Sequence, residues 1–269
     1  MGIAVVIGAT GFAGADPVAE APSRVVSINL CTDQLALLIA VPGQIAALSE
    51  LAFDASYGVD VPPGVGMTLG QAEDVHAMAP DLVLAGTFSG GAAVAMLERL
   101  GHRVERFAPE VTLDDIRANI RRMGDVLEQP ARAAALVAEF DAGLRALQDG
   151  GRRPRAALWF ANGYAPGPAT LAGQILEAAG FANVAVEAGI DANGFLSLEQ
   201  LVLLAPEVIV TGQPYPGASR AEDILRHPVI AALNGVAVAP VTDRDWVCGT
   251  PTVLRAVAGL VAIRRGLAP

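Results

Sequence analysis

Two glutamates stand in a segment of sequence that occurs twice. Residues 69 to 86 read LGQAEDVHAMAPDLVLAG and residues 195 to 212 read FLSLEQLVLLAPEVIVTG, so Glu73 and Glu199 correspond at an offset of 126 positions. In each copy the glutamate lies in the first turn of a predicted short helix, where the positive end of the helix dipole stabilises a carboxylate. These residues therefore offer a pair of similarly placed negative charges, one in each half of the chain.

Each copy also predicts the elements that hold its glutamate. Gln71 and Ser197 can cap the two helices, and Pro80 and Pro206 end them, because proline cannot continue a helix. A short, uninterrupted apolar run follows each proline, as is typical of a strand covered on both faces. A repeat of this length indicates duplicated structure.

The flanking sequence extends the repeat into two lobes. Basic-led apolar runs begin at Arg24 and Arg155, and each is followed by a polar turn and a helical pattern rich in leucine and alanine. Residues 112 to 149 instead carry frequent charges and apolar positions at helical spacing. Pro130 marks a helix start there, and about 19 residues at 1.5 Å each would span roughly 28 Å. We predict an α/β fold of two Rossmann-like lobes, each with a central parallel sheet, joined by one long helix.

The first 15 residues allow two interpretations. A glycine-rich turn from Gly8 to Gly14 follows an apolar run, as in dinucleotide-binding folds. The same stretch has the apolar core of a secretory signal, with small residues before Asp16. Pro17 and Pro22 interrupt the helix that nucleotide binding requires, so we favour the signal peptide, although this stretch contains no Lys or Arg.

These patterns together predict five regions. They are a signal peptide at 1–15, an N-terminal extension at 16–23, an N-terminal lobe at 24–109, a helical connector at 110–150 and a C-terminal lobe at 151–269.

Composition and motifs argue against several classes of function. The formal net charge is −10 and every basic residue is an arginine, which disfavours nucleic-acid binding and suits a monomeric protein. The histidines, His76, His102 and His227, fall in different predicted elements, so we expect no metal centre. The sequence has neither a Gly-x-Ser-x-Gly elbow nor a phosphate loop ending in Gly-Lys-Ser/Thr, so we expect no enzyme.

The two cysteines follow predicted strands. Cys31 comes after the first strand of lobe one, and Cys248 comes after a late strand of lobe two. Both would then lie at carboxyl ends of strands, the edge where open α/β sheets bind ligands. In an oxidising compartment they could form a disulfide across one side of a cleft, and the alternative is two small buried thiols.

The order of these motifs resembles a known family. The segments that carry the resemblance are residues 24–27, 32–35, 73–84, 171–172, 176–180, 197–210, 227–228 and 245–246. In this order the chain is similar, from about residue 24 to 264, to the periplasmic solute-binding proteins of ABC importers that carry ferric siderophores, haem and cobalamin. That class has a single backbone helix between its lobes.

The resemblance implies a role for the duplicated glutamates. In that family an acidic residue on each lobe docks onto arginines of the permease, and the matching positions are Glu73 and Glu199. A two-fold permease presents the same surface twice, and a duplicated motif supplies two similarly placed carboxylates. The expected partners are therefore the permease subunits of an importer.

The resemblance also places a ligand in the cleft between the lobes. The candidate ligand-binding residues at strand ends are Asn29, Cys31, Thr32, Asp33, Met67, Thr68, Phe88, Trp159, Asn162, Tyr164, Phe195, Tyr215, Arg244, Asp245 and Trp246. Both tryptophans and two of the three tyrosines fall at predicted loop positions, which favours a flat or conjugated ligand.

The cargo implied is a metal chelate bound as a ligand, with no resident cofactor or metal. Anionic ferric siderophores call for arginine near the site, and only Arg244 lies near the predicted rim, which favours a neutral or bulky complex. Met67 stands where cobalamin binders of the family have an aromatic residue, so a siderophore is favoured over a corrinoid. The expectation is a periplasmic binding protein, with the corrinoid binder and an NAD(P)-dependent enzyme using Gly8 to Gly14 as alternatives.

Overall fold

Two parallel β-sheets form the framework of the protein. The computed structural model describes residues 21–213, 219–233, 236–241 and 243–267. The predicted signal peptide, the glycine-rich turn from Gly8 to Gly14 and the predicted ligand-binding residue Tyr215 lie outside the described residues.

The first sheet is built by the N-terminal half of the chain. Its strands are β1 (Val25–Ser27), β2 (Ile45–Ser49), β3 (Gly66–Thr68), β4 (Leu82–Gly86) and β5 (Val104–Phe107). They lie in the order β3-β2-β1-β4-β5, and every pairing is parallel. The strand order reverses between β1 and β4, so their carboxyl ends form the crevice where open α/β sheets bind ligands.

The second sheet repeats this plan. Its strands are β6 (Arg155–Leu158), β7 (Ala182–Asn183), β8 (Val208–Gly212) and β9 (Ala237–Val241). They lie in the order β7-β6-β8-β9, again with parallel pairings only. The α/β fold with a parallel sheet in each lobe, predicted from the repeat, is confirmed.

Helices connect the strands and cover the sheets. The α-helices are α1 (Leu30–Ile39), α2 (Ala72–Ala77), α3 (Gly91–Arg99), α4 (Leu113–Val126), α5 (Pro130–Leu147), α6 (Leu171–Ala178), α7 (Leu198–Leu204), α8 (Pro228–Ala232) and α9 (Val253–Gly266). Parallel neighbours require such crossovers, because the chain must return to the same edge of the sheet before each new strand.

The sequence repeat corresponds to a repeated hydrogen bond between an acidic side chain and the backbone at the start of a strand. Asp81 accepts a hydrogen bond from the backbone N–H of Arg24 at 2.9 Å, at the start of β1. In the second lobe Glu207 accepts one from the N–H of Arg155 at 2.9 Å, at the start of β6. In each lobe the acid that follows the motif proline therefore fastens the central strand to its neighbour.

The turn before each motif proline is repeated as well. Ala79 and Ala205 have φ of +46° and +44°, a left-handed conformation that ends α2 and α7. An L-residue in this conformation costs roughly 1–2 kcal/mol. The similar positive φ at equivalent positions indicates that the duplication includes the turn as well as the residue types.

A single apolar core joins the two lobes through the connector. Leu84 of the first sheet, Ile120 and Phe140 of the connector helices, and Leu158 and Leu260 of the second lobe belong to one buried cluster. The 18-residue helix α5 is about 27 Å long, close to the length expected from the sequence. Because both sheets pack on this helical layer, large changes in lobe separation would break the core.

A buried carboxyl lies beneath the first sheet. Asp33 in α1 has no exposed surface, and its Oδ2 accepts a hydrogen bond from Ser49 Oγ at 2.5 Å. Desolvation by burial raises the pKa of Asp33 to about 7, against the lowering effect of its hydrogen bonds. The acid therefore belongs to the core that connects α1 with β2.

Gly124→Ala should destabilise the protein, because the added Cβ would overlap Ala133 Cβ and lie 3.2 Å from the Gln129 carbonyl oxygen. We expect a loss of about 1–3 kcal/mol in the free energy of unfolding, measured by urea titration. Gly259→Ala in α9 is the matched control, since nothing lies within 4 Å of its Cβ position. That control should gain up to about 1 kcal/mol from helix propensity. Equal effects of the two substitutions would refute the close packing of α4 on α5.

Asp33→Asn should remove part of the pH dependence of stability. The pKa of Asp33 is higher in the folded protein than in the unfolded chain, so its contribution is full at low pH and is lost as pH rises from about 4 to 7. The free energy of unfolding of the wild type, measured by urea titration, should therefore fall over this range by more than that of Asp33→Asn, by a difference of about 1 kcal/mol or more. Asp60→Asn at an exposed position is the control. Parallel profiles for all three proteins would rule out a buried, protonated Asp33.

Candidate functional site

A cavity of about 300 Å³ lies at the carboxyl edge of the first sheet. Its walls come from the segments that follow β1, β4 and β5, together with Leu171 at the start of α6 and the segment after β9 that contains Trp246, Val247 and Gly249. The cavity therefore lies between the lobes and includes the crevice between β1 and β4. This is the place where a doubly wound sheet is expected to bind a ligand.

A larger groove of about 760 Å³ lies at the opposite edge of the same sheet. It surrounds the amino ends of β2 and β3 and includes Pro42, Pro62 and Pro63. Its position at the amino edge places it away from the strand ends that supply polar side chains in α/β folds. We therefore assign the site to the smaller cavity.

A disulfide closes one side of the cavity. Cys31 near the start of α1 is bonded to Cys248, which precedes α9, with their Cα atoms 5.1 Å apart. Next to this bond, Thr250 Oγ1 donates to Gln34 Oε1 at 3.2 Å. The covalent link fixes the end of β1 against the segment that follows β9.

Asn29 and Thr32 shape the floor of the cavity at the strand crossover. Asn29 Oδ1 accepts hydrogen bonds from the backbone N–H groups of Cys31 and Thr32 at 3.0 and 3.3 Å, and so caps α1. Thr32 Oγ1 lies 2.8 Å from Ser27 Oγ. A Cβ at Gly86 would lie 3.1 Å from Asn29 Nδ2, so glycine lets the end of β4 approach this cap.

Glu110 lines the cavity and was not predicted from the sequence. Its Oε1 accepts a hydrogen bond from Asn119 Nδ2 at 2.6 Å, and its Oε2 accepts one from the backbone N–H of Gly249 at 3.2 Å. Burial raises the pKa of Glu110, while these donors act in the opposite direction. Glu110 follows β5 by three residues, so the rule that selected residues after β1 and β4 could have found it.

Three aromatic rings group at the carboxyl end of β6. The ring centroids of Tyr164 and Phe195 are 5.9 Å apart, and those of Phe160 and Tyr164 are 6.3 Å apart. Tyr164 Oη donates to Asn193 Oδ1 at 2.6 Å, and Phe195 is 67% exposed. Phe160 also lies next to Gly212 at the end of β8, which places this aromatic group at the crossover point of the second sheet.

The structure brings together only some of the residues predicted for the ligand site. Five of them line the cavity: Asn29, Cys31, Thr32, Phe88 and Trp246. Phe88 is 88% exposed at its rim.

Three other predicted residues are buried. Trp159 is 1% exposed and its indole Nε1 donates to the Leu196 carbonyl oxygen at 3.0 Å, so no ring face is available to a ligand. Asp33 lies in the core. Thr68 is also buried, and its Oγ1 donates a hydrogen bond to Asp74 Oδ2 at 2.5 Å. Each of these positions follows or adjoins a strand, but its side chain points into the protein.

The remaining predicted residues lie outside the cavity wall. Met67 and Asn162 are exposed, and Asp245 Oδ1 accepts a hydrogen bond from Arg255 Nε at 2.8 Å. The side chain of Arg244 lies beside Gly58 and 4.0 Å from the Asp245 carboxylate. These two charged residues form a surface ion-pair group between the lobes.

The duplicated glutamates are exposed in the first turns of α2 and α7. Hydrogen bonds from its own backbone and from Ser197 lower the pKa of Glu199. Ser197 and Gln200 form a capping box on α7, whereas Gln71 makes no side-chain cap on α2. Both helices end at the same left-handed turn, so the two carboxylates occupy equivalent places on their lobes.

The histidines serve local contacts. His76 Nδ1 lies 2.7 Å from His102 Nε2, and His227 Nδ1 accepts from the Val229 N–H at 3.3 Å. In the described part of the chain, no group of three or more His, Cys, Asp or Glu residues is arranged to hold a metal ion. Among the same residues, no helix combines the length and apolar character needed to cross a membrane.

Comparison with known proteins identifies relatives of this fold. A cobalamin-binding protein of Halobacterium salinarum is 32% identical over 146 residues, which cover 52% of this chain and 40% of that protein. A periplasmic haem-binding protein of Pseudomonas aeruginosa superposes with a TM-score of 0.70 at 22% identity, covering 92% and 95% of the two chains. An ABC-type Fe³⁺-hydroxamate transport protein of Saccharomonospora viridis gives 0.62 at 20% identity, covering 91% and 94%.

A family as a whole also matches most of the chain. The sequence pattern of the periplasmic binding protein family matches residues 25–241, which include both sheets and the connector. The chain belongs to the periplasmic binding protein family.

Proposed function

We propose that this protein is the substrate-binding component of an ABC importer, which captures a metal chelate and delivers it to a membrane permease. The observation that carries the proposal is the cavity at the carboxyl edge of the first sheet, walled by both lobes and closed on one side by the disulfide. A site between two lobes can enclose a ligand and release it with small movements of the walls. Family membership supports the same conclusion.

The side chains of the cavity suit binding better than catalysis. Its walls combine apolar groups such as Leu35, Phe107 and Trp246 with the amide of Asn29 and the hydroxyl of Thr32. Such a lining, mostly apolar with a few placed polar groups, is typical of small-molecule binding sites. The described lining pairs no nucleophile with a general base.

The cargo that we favour is a ferric siderophore, and the alternative is a corrinoid. The relatives support this class, since their names refer to a Fe³⁺-hydroxamate, haem and cobalamin. Exposed Phe88 and the Phe160–Tyr164–Phe195 group offer apolar faces to a bulky complex. Met67 is exposed where an aromatic residue is expected for a corrinoid, which favours the siderophore.

The compartment that fits this function is the periplasm, reached through an N-terminal signal peptide. The disulfide between Cys31 and Cys248 supports an oxidising compartment, because such bonds are rare in the reducing cytosol. The residues of the proposed signal are 1–15.

Glu73 and Glu199 are the proposed contacts to the permease. They are exposed, lie on equivalent helices of the two lobes and carry like charge, so they match a two-fold partner with a basic group in each half. Their positions outside the cavity separate docking from ligand capture.

Glu73→Arg combined with Glu199→Arg should abolish chelate uptake in cells while leaving ligand affinity within about twofold of wild type. The substitution reverses both docking charges without touching the cavity. The control is Asp125→Arg with Glu139→Arg, which makes the same charge change at exposed positions of the connector helices. Uptake unaffected by the first pair, or lost equally in both, would contradict docking through the duplicated motif.

Ligand binding should change the fluorescence of Trp246, which lines the cavity, and leave that of buried Trp159 almost unchanged. The test uses Trp159→Phe and Trp246→Phe, which each leave one indole. Gallium(III) complexes of siderophores avoid the light absorption of iron, and cyanocobalamin tests the corrinoid alternative. A signal from Trp159 with none from Trp246 would move the binding site away from this cavity.

A further inference from the structure

The wall of the cavity contains a single ionisable side chain. Of its described lining residues only Glu110 has an acidic or basic side chain, and the others are apolar, amide, hydroxyl or disulfide groups. The chain has no lysine, and all 18 of its basic residues lie within the described residues. Every arginine is thus among the described residues, and none of them lines this cavity.

The arginine nearest to the predicted rim is already engaged. Arg244 lies beside Gly58 and 4.0 Å from the Asp245 carboxylate, and Arg255 donates to the same carboxylate at 2.8 Å. Neither guanidinium is part of the cavity wall. A chelate with free carboxylates or deprotonated catechols would find no guanidinium in the wall to pair with.

Glu110 is held by two hydrogen bonds and still has acceptor capacity. Asn119 Nδ2 and the N–H of Gly249 each use one of its oxygens, whereas a carboxylate offers about four acceptor positions. A Cβ at Gly249 would overlap the side chain of Glu110, so glycine is required there for lobe two to approach this acid. The carboxylate is thus an acceptor on the wall of the cavity, contributed by the segment that follows β5 and hydrogen-bonded to the second lobe.

We infer that the cargo is an uncharged or cationic chelate that presents an ammonium, N–H or O–H group to Glu110, and that anionic chelates are rejected. This inference rests on the proposed function and narrows its substrate class. A carboxylate in a partly desolvated cavity attracts donors and cations and repels anions, and no basic group in the described wall offsets it. The protein's net charge of −10 acts in the same direction.

The test is a series of one chelate at three charges. A linear ferric trihydroxamate with a pendant ammonium is compared with its acetylated, neutral form and its succinylated, anionic form. Dissociation constants are measured by equilibrium dialysis for the wild type and for Glu110→Gln, which keeps the size of the side chain. Cyanocobalamin and its monocarboxylic acid form a second neutral and anionic pair.

The wild type should bind the ammonium form at least tenfold more tightly than the succinylated form. Glu110→Gln should reduce that ratio to threefold or less, mainly by improving the binding of the anion. Glu139→Gln on α5, which removes a charge at an exposed position, should leave the ratio unchanged. Equal urea midpoints for the variants show that folding is intact.

The outcomes separate the two proposals. Tight binding without discrimination by charge, or discrimination that persists in Glu110→Gln, overturns the inference and leaves the proposed function standing. Preferential binding of the anionic forms also overturns it. If no member of either series binds to the wild type, the inference and the proposed function in this cavity both fail.

Discussion

A continuous apolar core that runs through α5 holds the carboxyl edge of the first sheet against the segment that follows β9. The cluster contains side chains from both sheets and both connector helices, so the lobes pack on one helical layer. The Cys31–Cys248 disulfide adds a covalent link between the start of α1 and the segment that follows β9. Leu35 and Phe107 belong to this core and also line the cavity, so core packing helps to set the shape of the cavity.

The sequence predicted the fold well because the duplicated motif repeats the residues that tie each lobe together. Asp81 and Glu207 accept hydrogen bonds from the N–H groups of Arg24 and Arg155, which lie 57 and 52 positions earlier in the chain, and Ala79 and Ala205 form the same left-handed turn. Because these contacts recur at equivalent positions of the two copies, they leave a visible pattern. The long connector helix predicted to start at Pro130 corresponds to α5, Pro130–Leu147, since proline at its start and apolar spacing are local signals.

The site was harder to predict because strand ends do not reveal which way a side chain points. Trp159 and Phe160 are neighbours after β6, yet Trp159 faces the core and Phe160 joins the aromatic group with Tyr164. A difference of one residue reverses the face, and the sequence pattern does not fix it at the end of a strand. Glu110 was missed because the strand-end rule was not applied after β5, and its contact with Gly249, which lies 139 positions away, leaves no local pattern.

The proposed sites of capture and docking are separate surfaces, since the cavity lies at the sheet edge and the duplicated glutamates lie on exposed helices. The most direct test of capture is native mass spectrometry of the wild type and of Trp246→Ala after incubation with ferric hydroxamates, ferric catecholates, haemin and cyanocobalamin. If the cavity binds the cargo, the wild type should retain one chelate per chain and Trp246→Ala should retain none. Folded wild-type protein that retains none of these chelates would contradict the proposed function, and equal retention by both proteins would contradict its location.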